Sequence, residues 1–292
     1  MLRRLQSFIS FFCSLIICAG LIAITGADAR GAACTGLCET GSFRFIIPVY
    51  NNPGLTEIRT TLKGQIRRQD IFMVVSGNFN TLDIDWLDKT AGILREEFPD
   101  SLILVGTGGL DNISAIADRM ATPIDGMAYI YEPGQPYAPE FDWDFGVTTA
   151  NFGQAAEILR SRELLFVGVP TGRPVQQAQL QKYRWDYSSL GGMTNHLLVQ
   201  TQTYALKGTT EYRQALEKLI TQYDMKKKPL NMFPQITVDT NSPNGVEVSR
   251  AVKCSKIAVD QGFNGMLVWW SPRQSGAMLD YMRKMGRQIP TK

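Results

Sequence analysis

Residues Asp125–Glu132 read DGMAYIYE: an aspartate-glycine entry, five uncharged residues, then a carboxylate. A strand with one wet face alternates apolar and polar residues. A near-continuous apolar run instead marks a strand covered on both faces, as in a parallel sheet. Strand geometry still sorts the side chains: Ala128, Ile130 and Glu132 share one face, and Met127, Tyr129 and Tyr131 share the other. The glutamate that ends the run is the residue to explain.

Seven further runs of this kind lie on either side. They are Arg44–Tyr50 (RFIIPVY), Ile71–Gly77 (IFMVVSG), Leu102–Gly106 (LILVG), Glu163–Val169 (ELLFVGV), His196–Gln202 (HLLVQTQ), Phe233–Asp239 (FPQITVD) and Gly265–Trp270 (GMLVWW). Their starts fall roughly 30 residues apart, the length of one strand, one helix and two loops. Helical periodicity fills the intervals. WLDKTAGILREEF sets Trp86, Leu87, Ala91, Leu94 and Phe98 near a 3.6-residue period, and EYRQALEKLITQY gathers Tyr212, Leu216, Leu219 and Ile220 on one face. VEVSRAVKCSKIAVDQG carries Val246, Val248, Val252, Ile257 and Val259 and ends at Gly262, a fitting cap. Eight such units predict an α/β chain forming a single closed (β/α)8 TIM barrel over residues 44–292, with no linker to a second domain.

Ahead of the barrel stand Arg3 and Arg4, the apolar run FISFFCSLIICAGLIAI, and the small residues of Ala27-Asp28-Ala29. Residues 1–29 are therefore expected to be an export signal, with 30–43 an N-terminal segment and the mature chain secreted or periplasmic. The apolar run is nearly long enough to cross a bilayer, so an uncleaved anchor is the alternative, and a membrane is a partner only in that case. After cleavage Cys34, Cys38 and Cys254 remain. Three thiols allow one bridge at most, and the Cys34–Cys38 loop could close one in an oxidising compartment.

Composition narrows the chemistry. The formal charge of +3 is too small to argue for nucleic acid. The Lys226–Lys228 run sits at a helix-to-strand crossing and reads as a solvated turn. The chain has one histidine, His196, at the start of a strand. That position belongs to the bottom of the barrel, which leaves no Ser-His-Asp or Cys-His triad and no multi-histidine metal site. The glycines of GTGG, Gly106–Gly109, lack the lysine-serine pair of a P-loop and the third glycine of a dinucleotide fingerprint. No cofactor and no metal are expected.

Barrel chemistry sits at the carboxyl ends of the strands. That rule selects Tyr50, Glu132, Arg173, Gln200, Gln202, Tyr204, Asp239 and Trp269, a set rich in amides, aromatics and a few carboxylates. Amides and carboxylates bond sugar hydroxyls, and aromatic faces lie under sugar rings. A polysaccharide or oligosaccharide is the partner this set suits.

The same residues resemble the family-18 glycoside hydrolases, the chitinases and their relatives. That family carries S-x-G-G at the end of strand three and D-x-x-D-x-D-x-E along strand four. Here Gly106, Thr107, Gly108 and Gly109 stand at the first motif, with glycine for serine. Asp125, Ala128, Ile130 and Glu132 stand at the second, so the first aspartate and the last glutamate match and the middle two aspartates do not. GMLVWW on strand eight is similar to the family's G-V-M-x-W and implies that Trp269 floors the sugar site. The resemblance implies that Glu132 is the general acid. It also implies that the residue two before it should orient the substrate's acetamide, which Ile130 cannot do, having no hydrogen-bonding atom. Gln202 falls where the family's strand-six tyrosine is expected, and Tyr204 lies two residues beyond. Apolar neighbours at 128 and 130 should raise the pKa of Glu132 and keep it protonated nearer neutral pH.

Three readings follow. One is a hydrolase acting on N-acetylhexosamine-containing glycans, chitin-like or peptidoglycan-like, with Glu132 as acid. A second is a catalytically inactive, chitinase-like carbohydrate-binding protein. A third is a retaining glycosidase with Glu132 as acid/base and Asp239 as nucleophile, which requires carboxyls about 5–5.5 Å apart.

Overall fold

Eight parallel strands close on themselves in chain order, each hydrogen-bonded to the next and β8 to β1. The computed structural model describes residues 43–75, 82–134, 138–223 and 232–286. The expected export signal, Cys34 and Cys38, and the Lys226–Lys228 run lie outside the described residues. The order is β1 (Arg44–Val49), α1 (Asn52–Glu57), β2 (Ile71–Val75), α2 (Ile84–Glu97), β3 (Leu102–Thr107), α3 (Leu110–Arg119), β4 (Gly126–Tyr131) and α4 (Phe145–Arg160). It continues with β5 (Leu165–Pro170), the short α5 (Arg173–Gln176), α6 (Tyr187–Met193), β6 (His196–Val199), α7 (Gln202–Lys207) and α8 (Thr209–Tyr223). The last elements are β7 (Met232–Val238), α9 (Val248–Asp260), β8 (Gly265–Trp270) and α10 (Ser275–Gly286). Closure pairs Arg44 with Gly265 and Ile46 with Leu267. The chain is a single (β/α)8 TIM barrel, and all eight expected strands are present.

The alternation in DGMAYIYE works as strand geometry requires. Tyr129 and Tyr131 turn outward, with ring centroids 5.5 and 5.8 Å from Phe152 of α4. Ala128 and Ile130 turn inward and are buried. The helices cover the outer face with the expected stripes: Leu87, Ala91 and Leu94 of α2, and Tyr212, Leu216 and Leu219 of α8, are fully buried. Each such leucine contributes about 1.5–3 kcal/mol by leaving water. Val259, expected on the inner stripe of α9, is exposed instead.

One strand boundary differs for a clear reason. The run His196–Gln202 leaves the sheet at Val199, which pairs with Pro234 of β7. Proline has no N–H to donate to a ladder. Two residues past Val199, the Thr201 side chain takes over: its hydroxyl donates to Gln235 O (2.7 Å) and accepts from Gln235 N (3.1 Å). The main chain is then free to turn into α7, so Gln202 opens a helix rather than closing a strand.

The amino-terminal end of the barrel is tied by carboxylates. Asp70, fully buried, accepts from Phe45 N (3.1 Å), Arg67 N (2.9 Å) and Arg67 Nη2 (2.7 Å). Arg67 Nη2 also donates to Phe43 O at 2.8 Å. Asp125 accepts from Ile103 N (2.7 Å) and Arg95 Nη2 (2.6 Å), joining β3 to β4 at their starts. His196 is buried at this end, its ring 5.4 Å from Phe233.

Candidate functional site

A cleft of about 390 Å³ opens at the carboxyl mouth of the barrel. Its floor is apolar: Met73, Ile130, Val169 and Leu267 from β2, β4, β5 and β8. Its walls are polar, with Glu132 after β4, Gln200 and Gln202 around the end of β6, Gln235 on β7 and Arg173 at the start of α5. Trp269 of β8 completes the lining. The next residue, Trp270, points the other way, buried with its Nε1 donating to Pro48 O at 3.1 Å. Tyr50 backs Trp269 rather than lining the cleft: the two rings lie 6.2 Å apart, and the Tyr50 hydroxyl donates to Trp270 O at 2.9 Å.

Among the described residues Glu132 is held by one hydrogen bond, donated by Gln200 Nε2 to its Oε1. Burial pushes its pKa up, and the opposing pull of the Arg173 charge and the Gln200 amide leaves the net shift upward. The expected effect of apolar neighbours is thus present, tempered by a cation and a donor. Asp239 does not share this environment. It is not among the residues lining the cleft. Its Oδ1 accepts from Asn241 N (3.0 Å) in its own turn, and its charge acts on Tyr50, whose pKa is raised chiefly by burial. Tyr204 also stands off the cleft, packed against the barrel's outer core with Lys207 Nζ 5.6 Å from its ring. Of the residues expected at the site, the structure brings together Glu132, Gln200, Gln202, Arg173 and Trp269.

Two of the departures from the family-18 motifs, Gly106 and Ile130, pack against each other. A Cβ at Gly106 would lie 2.9 Å from Val75 Cγ2 and 3.4 Å from Ile130 Cδ1. The isoleucine fills the space beside the glycine, so a large residue at 130 goes with the smallest one at 106. Asp125, the matched first aspartate, is committed to Arg95 and Ile103 at the far end of the strand. Seven residues at ~3.3 Å each place it roughly 23 Å from Glu132. The Gly109 end of GTGG has positive φ (88°) and caps α3, whose Leu110 N–H is taken by Glu140 Oε1 at 2.9 Å. A carboxylate of the chain itself occupies that helix start.

Asp144 and Asp186, in loops at this end of the barrel, cap helices. Asp144 Oδ1 accepts from Gly146 N and Val147 N at the start of α4, and Asp186 Oδ1 accepts from Ser188 N at the start of α6. Trp143 packs the loop after β4 against the segment after β5, stacked 5.4 Å from Tyr183. Among the described residues, no group of three or more His, Cys, Asp or Glu side chains could hold a metal ion.

Four polar cleft residues were not selected by strand ends: Gln177, Thr203, Gln235 and Asn244. Gln235 had a signal, since it lies four residues before Asp239 on the inward face of FPQITVD. Asn244 depends on a loop that returns on itself. Gly245 N donates to Ser242 O, and a Cβ at 245 would fall 1.5 Å from Asp239 O, so only glycine closes the turn.

No family model and no curated protein matches this sequence. Solved structures do match in fold. The C-terminal domain of a putative chitinase from Desulfitobacterium hafniense superposes with a TM-score of 0.56 at 12% identity, over 84% of this chain and 99% of that one. A group IV chitinase from Ostrinia furnacalis, solved with allosamidin, gives 0.57 at 11% identity over 84% and 100%. A 2,3-dimethylmalate lyase of the PEP mutase/isocitrate lyase superfamily gives 0.54 at 12% identity over 91% and 90%. At such identities the likeness is one of barrel architecture, shared by chitinases and lyases alike.

Proposed function

We propose that the mouth of this barrel binds N-acetylhexosamine-containing glycans, and that Glu132 anchors the sugar as a hydrogen-bonding group with little or no hydrolysis. The carrying observation is that Glu132 is the one carboxylate among the described residues lining the cleft, with Ile130 beneath it. An acetamide-assisted mechanism needs a carboxylate at 130 to orient the nucleophile. A two-carboxylate mechanism needs a partner about 5–5.5 Å away, and Asp239 is engaged in its own turn. What the cleft offers is recognition: several amides, one carboxylate and an indole face, the groups that hold sugar hydroxyls and ring faces.

A hydrolase with Glu132 as general acid is the second reading, favoured by the upward shift of the Glu132 pKa. Calorimetric titration with N-acetylglucosamine oligomers tests the first. Saturable binding is expected, weakened by Trp269→Ala and largely kept in Glu132→Gln, whose amide preserves shape. Failure of these oligomers to bind contradicts it. Export is part of the proposal, supported by the basic and apolar N-terminal pattern. Sequencing the mature N-terminus should place it near Arg30, and an intact Met1–Ala29 segment would indicate an anchor.

A further inference from the structure

The cleft holds a cation and two buried acceptors that the chain itself leaves unused. Arg173 lines the cleft and is exposed there. No ion pair or side-chain hydrogen bond of its guanidinium is present among the described residues. Its charge acts on Glu132. Elsewhere on the barrel, arginines with carboxylates in reach are paired with them: Arg59 with Glu97, Arg67 with Asp70, Arg95 with Asp125 and Arg162 with Asp118. Arg173 is also near a carboxylate, yet Glu132 takes its hydrogen bond from Gln200. The guanidinium fork therefore remains open to the cleft.

On the same lining, Gln202 Oε1 and Thr203 Oγ1 are buried without a hydrogen-bond partner among the described residues. An unpaired buried acceptor is unfavourable, and a ligand donor that reached it would recover that cost. A ligand suited to this cleft donates hydroxyl or amide hydrogens toward Gln202 and Thr203 and presents an anion to Arg173. A neutral sugar meets only the first demand.

Resting on the glycan reading above, we propose that the preferred ligand is an acidic saccharide, one carrying a carboxylate on the ring or on a short substituent, and that Arg173 is the residue that selects it. Guanidinium binds carboxylate through two parallel N–H···O bonds, a geometry that lysine or a glutamine amide does not reproduce. The carboxylate of the ligand would then complete the ion pair that Glu132 leaves open.

The test uses three probes on the purified chain by calorimetry. They are a neutral N-acetylglucosamine tetramer, a tetrasaccharide alternating N-acetylglucosamine with carboxylate-bearing N-acetylmuramic acid, and that tetrasaccharide with its carboxylates converted to amides. The acid form is expected to bind about tenfold or more tighter than its amide. Arg173→Gln should bring that ratio near one, while Lys218→Gln, on α8 and outside the cleft lining, keeps it. Circular dichroism on both variants checks folding. Equal binding of acid and amide by the wild type, or a ratio that survives Arg173→Gln, overturns the selection by Arg173 and leaves the glycan reading standing. Absence of binding by all three probes overturns both.

Discussion

The two ends of this barrel treat their carboxylates in opposite ways. At the amino-terminal end Asp70 and Asp125 each accept a backbone N–H from a neighbouring strand and an arginine besides, so both carboxylates are committed to structural ties. At the carboxyl end Glu132 has one amide donor, a cation nearby that does not bond it, and a raised pKa. The first arrangement is what stability demands of a buried charge, and the second is what a binding site demands of a usable one. Position in the barrel, rather than residue type, separates the two.

The largest effect expected from this contrast is at Asp70. Asp70→Ala removes the acceptor for Phe45 N and leaves Arg67 without its partner, and should cost about 3–5 kcal/mol in denaturant unfolding. A loss below ~1 kcal/mol would mean that the lower end is not held as described.

His196 sharpens the same contrast through pH. Burial, with the Arg44 charge in support, lowers its pKa to about 4. A base with a depressed folded pKa is neutral in the folded chain while already protonated in the unfolded one. Its contribution to stability is therefore present above about pH 6.5 and is lost as the pH falls toward 4. At about 1.4 kcal/mol per pKa unit, the loss is on the order of 3 kcal/mol. His196→Leu should flatten that part of the stability-pH curve relative to wild type. Parallel curves for the two proteins would contradict the assignment.

A smaller effect is expected where the packing of the mouth replaces family chemistry. Gly106→Ser alone should cost about 1–3 kcal/mol by overpacking against Val75 and Ile130. Combined with Ile130→Ala, part of that cost should return, giving a favourable coupling of about 0.5–1 kcal/mol in a double-mutant cycle. Strict additivity would show that the two positions are independent.

Glu132→Gln should change stability least. Because the folded pKa is raised, the stabilising contribution of Glu132 is complete at acid pH and disappears as the pH rises through that value. The variant should accordingly gain on the wild type with rising pH, and a gain at acid pH instead would reverse the sign assigned here.

Much of this was legible before any coordinates. The eight apolar runs are the eight strands, because a parallel strand covered on both faces has no polar face to blur its limits. The exception at β6 came from Pro234, which sits on a different strand and reveals its effect only once the register is known. At the mouth, alternation along one strand found Glu132, and residues set by their own strand, such as Trp269, followed. Asp239 shows the limit of the rule: it ends β7 as expected, yet its side chain turns to Asn241 N in a local loop interaction that no strand pattern encodes. Asn244 enters the cleft only through the Asp239–Gly245 turn. Asp125 matched the first position of the strand-four motif and is a strand-end tie, because the residues that give it that role, Arg95 and Ile103, lie far away in sequence.

The central claim is that the mouth recognises glycans through a carboxylate that does not turn them over. Reducing-end release from an N-acetylglucosamine tetramer, followed by mass spectrometry from pH 4 to 8 for wild type and Glu132→Gln, tests it most directly. The account predicts binding by the wild type with turnover no greater than that of the variant. Wild-type hydrolysis that falls about a hundred- to ten-thousand-fold in Glu132→Gln would contradict it and establish Glu132 as a general acid.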